Sequence, residues 1–226
     1  MTNIAAPTRN WTDTTIRVAI LTAPLGGLLK MIGNLGTFDS VGYGVPQASE
    51  AATAVGPAYL LGQLTGSVLP TVLTPFWAFA LFAYAAPRIR ARRTLTTAIA
   101  AWVIGAGFAL AALGVVTYAI TVLGHAHYAG DPNAMNVVDS FFTWPTAGMF
   151  LPAILVPIGS ILFAIAVWPS AALPRTGVAG LTLATLLLAA PGPIHSLHLA
   201  GGILTLACGT WLAYHIHHTL TAASTD

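Results

Sequence analysis

Residues 88–123 read RIRARRTLTTAIAAWVIGAGFALAALGVVTYAITVL. Four arginines in six positions, Arg88, Arg90, Arg92 and Arg93, precede residues 95–123, a run without one charged side chain. About 20 mostly apolar residues in a helix cross the roughly 30 Å of bilayer hydrocarbon. The run is therefore long enough to span a membrane, and it shows none of the period-2 alternation of a barrel strand. Its flank supplies direction as well, because Arg and Lys gather on the cytoplasmic side of membrane helices.

Outward from this segment the same reading repeats. Apolar runs at 15–36, 57–86, 95–123, 141–168, 177–194 and 196–217 predict six transmembrane helices, bounded by Pro, Gly or polar residues. Little chain is left over, so residues 1–226 form a single all-α domain, a polytopic membrane helix bundle. The composition agrees: 56% of residues are hydrophobic and only 6% charged, where soluble domains carry roughly 25% charged residues. Mean hydropathy is +0.80. A soluble enzyme, a disordered chain and a nucleic-acid binder are excluded, and membrane lipids are the expected surroundings. The first 20 residues lack the basic start and small-residue cleavage site of a signal peptide, so the first apolar segment is expected to be retained.

Six alternating spans place Arg9, Arg17, the 88–93 cluster and Arg175 on one side, predicted to be cytoplasmic together with both termini. The connections at 37–56, 124–140 and 194–196 then face out. Lys30 alone among the basic residues departs from this pattern. A bacterial plasma membrane is the expected location.

The chain also matches itself at an offset of 82. Gly66, Leu69, Pro70, Leu73 and Pro75 fall on Gly148, Leu151, Pro152, Leu155 and Pro157, both reading GxxLPxxLxP, and Pro87, Arg93 and Thr94 fall on Pro169, Arg175 and Thr176. This predicts a parallel hairpin repeat, spans two and three duplicated as four and five. A proline inside a helix removes a backbone hydrogen bond and bends the chain. Two readings of the paired prolines stand: kinks that pack a bundle, or a midplane cavity lined by Gln63, Thr65, Ser67, Thr71 and Thr74.

Polar groups at membrane depth carry most of the functional information. Lys30 lies in the outer third of span one, with Asn34 a turn beyond. It either snorkels to the outer headgroups or forms a buried ammonium paired with Asp39, Glu50 or Asp139. His125 and His127 follow span three, while His195 and His198, at i and i+3 on one helix face, open span six. All four are expected at the outer rim, where imidazoles suit Zn, Cu, Fe or Ni, or one bis-histidine haem, or simply an interface. His195 and His198 are the candidate metal ligands, and Lys30, Gln63, His125 and His127 the candidate ligand-binding groups. His215, His217 and His218 end the last span, where imidazoles complement the helix dipole. The lone Cys208 excludes disulfides and cysteine-based metal clusters. No phosphate-binding glycine loop, nucleophile elbow or HExxH motif occurs.

Residues 159–181, GSILFAIAVWPSAALPRTGVAGL, resemble a hairpin found in uncharacterised six-span bacterial membrane proteins of unknown function. The resemblance implies a bacterial plasma-membrane location and brings no functional residues. The first functional expectation is an outward-facing His/Asp/Lys pocket for a small ligand or metal. A second is a membrane-embedded enzyme, of isomerase or terpenoid-cyclase type, using Asp139 and Glu50 on a lipophilic small molecule. A small transporter or an accessory subunit is the third. The sequence names no cofactor, substrate or oligomeric state.

Overall fold

The computed structural model describes residues 8–34, 47–140, 151–189 and 195–223. Every regular element among them is helical: α1 (Thr8–Ile20), α2 (Thr22–Asn34), α3 (Gln47–Ala54), α4 (Pro57–Gln63), α5 (Leu69–Ala85), α6 (Arg92–Tyr128), α7 (Asn136–Ser140), α8 (Leu155–Val167), α9 (Arg175–Leu188) and α10 (His195–Ala222). Five stretches are long and apolar enough to cross a membrane: Thr12–Asn34, Pro57–Arg88, Arg92–Tyr128, Leu151–Ser170 and Ser196–Ala222. The segment predicted at 177–194 contributes α9, 14 residues long and about 21 Å at 1.5 Å per residue. That is short of a full crossing, and Pro191 and Pro193 lie outside the described residues.

The breaks follow the prolines. Pro24 has no N–H to offer Ile20, and the first span turns at Leu21 between α1 and α2. In the second span, α4 and α5 are joined by a π-helical turn at Leu64–Val68, where the Leu69 N–H reaches back to the Leu64 carbonyl. Pro70, two residues beyond that turn, is the source of the disturbance. Two short 3-10 turns, Ala86–Arg88 and Trp168–Ser170, end α5 and α8. The connections at 37–56 and 124–140 contain the short helices α3 and α7.

Consecutive spans pack on one another, and α10 closes the circle on α2 and α1. The result is a ring of six helical segments. At its arginine-rich end the interior is filled by large side chains: Trp77, Leu81 and Tyr84 of α5, Trp102 of α6, Phe163 of α8, and Leu212 and Ile216 of α10. Trp102 is the hub, edge-on to Trp77 (centroids 5.0 Å apart, planes at 74°) and tilted against Phe163 at 5.2 Å. Edge-to-face pairs of this kind add about 0.5–1.5 kcal/mol beyond burial.

Towards the opposite, far end the helices approach through small residues. A Cβ on Gly33 of α2 would overlap the backbone of Gly66, and one on Gly27 would overlap Leu206 of α10. Close approach through glycine is how membrane helices gain contact where no hydrophobic force drives them together. The outer faces are apolar: Phe76 and Phe79 are each 54% exposed, and Val103, Ile104 and Phe108 on α6 are similarly bare. A water-facing surface would not carry so much contiguous apolar area, so the bundle has the outside of a membrane protein.

Candidate functional site

The far end is roofed by α3 and α7. Helix α3 crosses α6 at Gly124, where an added Cβ would meet Ala54, Val55 and the Ala51 carbonyl. Ala51, Ala54, Tyr59, Ile120, Met135 and Val138 form a small apolar cluster beneath it. Glu50, on the same helix and 1% exposed, is a carboxyl group within this layer. It lies close enough to Tyr59 to act on it electrostatically, and Gln63, one turn along α4, hydrogen-bonds the Tyr59 side chain. Burying a carboxyl group costs several kcal/mol unless its surroundings compensate it, which makes Glu50 the most informative polar residue of the described chain.

Lys30 approaches from α2. Leu21, Leu25, Leu28 and Ile32 are exposed and form that segment's lipid face. Lys30 shares the opposite face with Gly26 and Gly33. These two glycines meet Pro70 and Gly66 of the second span, so Lys30 stands between two crossing points and opposite the π turn. The helix face thus directs it to the bundle interior, and its side chain is half-buried. Asn34 donates to the Lys30 carbonyl oxygen at 2.6 Å. No ion pair joins Lys30 to Glu50 among the described residues, and Asp39 lies outside them.

The polar residues near the prolines behave as helix packing requires. Thr65 donates to Leu61 O at 2.7 Å, Thr71 to Ser67 O at 2.7 Å and Thr74 to Pro70 O at 3.0 Å. Three of the five groups assigned to a midplane cavity thus spend their hydroxyl protons on their own backbone. Gln63 is engaged with Tyr59.

The described histidines differ in exposure. His125 is exposed, whereas His127 is half-buried with its Nδ1 buried and unpartnered among the described residues. His198 is half-buried on α10. Helix α6 packs on α3, α5 and α8, while α10 packs on α1, α2 and α9; the two histidine-bearing helices are therefore three places apart in the ring. Among the described residues no group of three or more His, Cys, Asp or Glu side chains is placed to hold a metal ion. The side chains of His195 and Asp139 lie outside the described residues, although both positions are helical.

What the fold brings together is Glu50, Tyr59 and Gln63, with Lys30 and His127 on adjoining helices. Tyr59 escaped the sequence reading because a tyrosine at a span's start resembles any interfacial aromatic. Its i, i+4 spacing to Gln63 was the available signal. The class defined is a polytopic α-helical membrane bundle with a buried polar cluster at one end. No family model, curated protein or solved structure matches the chain.

Proposed function

We propose that the protein is a six-span bacterial plasma-membrane protein whose far end, facing out of the cell, binds a small ligand. Glu50 is its charged anchor, Tyr59 and Gln63 supply hydrogen bonds, and Lys30 and His127 border the site. The observation that carries this reading is the burial of Glu50, 1% exposed, in an apolar layer at the far end of the bundle, since buried ionisable groups gather at functional sites. A carboxylate recognises positive or hydrogen-bond-donating groups, so a ligand at Glu50 brings an amine, a similar donor or a metal ion to a carboxyl group that already interacts within the protein. The hairpin repeat belongs to the same reading: the 3-10 turns at Ala86–Arg88 and Trp168–Ser170 recur at the offset of 82.

Metal analysis and mass spectrometry of small molecules extracted from detergent-purified protein test the proposal. The wild-type chain is expected to carry a near-stoichiometric species that Glu50→Gln loses while keeping its helicity. The same occupancy in both proteins, or none in either, refutes it.

A second reading is an enzyme acting on a lipophilic substrate, supported by the proximity of Glu50 to the Tyr59 hydroxyl, a carboxyl and a phenol able to serve as an acid–base pair. In that case Glu50→Gln abolishes turnover but leaves binding, and Asp139→Asn reports whether the second carboxyl takes part.

A further inference from the structure

At the arginine-rich end, where α5 turns into α6, a cleft of about 350 Å³ opens on the outer surface of the bundle. Phe82, Ala86 and Pro87 form one wall, and Arg92, Leu95 and Thr96 the other. The walls are largely apolar, and one turn back along α5 from Phe82 the ring of Phe79, 54% exposed, stands 6.5 Å from that of Phe82 on the lipid face.

The charged groups of this turn are not equivalent. Arg88, exposed like the other three arginines of this turn, donates to the Tyr84 carbonyl with its guanidinium 4.0 Å above the Tyr84 ring. Arg90 and Arg93 are exposed and stand outside the cleft. Arg92 lines it, and its guanidinium makes no hydrogen bond or ion pair among the described residues. Thr96 has already given its hydroxyl proton to the Arg92 carbonyl, at 2.9 Å, so Arg92 is the one charged donor at the mouth.

We propose that this cleft is a binding site for an anionic glycerophospholipid, its phosphate held by Arg92 and one acyl chain lying over Leu95, Phe82 and Phe79. The complementarity is twofold. A guanidinium fork suits phosphate oxygens, and an apolar trough opening into hydrocarbon suits a chain that is already there. Basic pockets between transmembrane helices at the cytoplasmic surface recognise lipid headgroups by this combination. The proposal is independent of the far-end site, since no residue is shared.

Native mass spectrometry of the full chain in detergent, titrated with dioleoylphosphatidylglycerol or dioleoylphosphatidylcholine, tests it. The wild-type protein is expected to retain the anionic lipid preferentially. Arg92→Ala should weaken that retention about tenfold or more, the factor for one lost charge-assisted hydrogen bond, whereas Arg90→Ala, which removes an equal charge outside the cleft, should change it less than twofold. Thr96→Phe keeps every charge but fills the trough, and should abolish the preference. Equal losses for Arg92→Ala and Arg90→Ala would show a diffuse basic surface and overturn the site, as would undiminished retention by a folded Thr96→Phe protein. Absence of any preference in the wild type overturns it too. Inorganic phosphate at millimolar concentration should not displace the lipid; if it does, the occupant is the free anion and the acyl-chain assignment is wrong. Should Thr96→Phe fail to fold, the two arginine variants still decide.

Discussion

Gly33→Ala is the substitution whose outcome the structure determines most sharply. The new Cβ would overlap the Gly66 backbone and press on the Gly62 carbonyl. The obstacle is main chain on both sides, so no rotamer change relieves it. To restore an ordinary separation of 3.4–4 Å, α2 and the second span must part by about 1.3–1.9 Å, which forfeits dispersion contacts along the whole crossing. Overpacking of this kind costs about 1–3 kcal/mol. The matched control is Gly107→Ala on α6, where an added Cβ meets nothing within 4 Å. There the exchange only improves helix propensity and should be neutral or stabilising by up to about 1 kcal/mol. Unfolding both variants in mixed micelles, followed by circular dichroism, should give a lower midpoint for Gly33→Ala and an unchanged or higher one for Gly107→Ala. Equal midpoints would refute the claim that α2 and the second span touch through bare backbone, and the placement of Lys30 between those contacts would fall with it.

Other outcomes follow from single contacts. Trp102→Ala removes the hub of the aromatic core and should cost about 3–5 kcal/mol; Trp102→Phe should cost much less, because the buried indole N–H has no acceptor among the described residues, and the same unfolding assay separates the two. His217→Ala deletes the bond from the His217 ring to the Arg17 carbonyl, 2.9 Å long and joining α10 to α1, with an expected loss of about 0.5–1.5 kcal/mol. Tyr59→Phe removes the partner of Gln63 and should lower stability by a similar amount while weakening whatever species Glu50 retains; extraction and mass spectrometry check the second effect.

Five of the six expected spans were legible because a bilayer imposes a length and a polarity that few other folds share. The ends were less so. Residues 95–123 mark the uncharged run, yet α6 extends over Arg92–Tyr128, since a helix continues through the headgroup layer once its hydrogen bonds are started. The turn at Leu21 and the π turn at Leu64–Val68 arise from Pro24 and Pro70, whose positions were plain but whose local geometry depends on packing. Lys30 was identified as unusual, but only the exposed row Leu21, Leu25, Leu28 and Ile32 shows which way its helix face turns. Glu50 was a candidate from its position before span two. Its burial depends on α3 folding back over α6, and hydropathy contains no information about that fold-back. His125 and His127 shared one short motif, but two residues are about half a helical turn, which puts them on opposite faces of α6.

Helix α6 has 37 residues and is therefore about 55 Å long, nearly twice the hydrocarbon thickness of roughly 30 Å. With Arg92 and Arg93 anchored at one headgroup layer, the surplus projects past the other as a mast, and α3 leans on it at Gly124. On the proposed reading Glu50 then stands beyond the hydrocarbon, so a hydrophilic ligand reaches it from solution without dissolving in the bilayer.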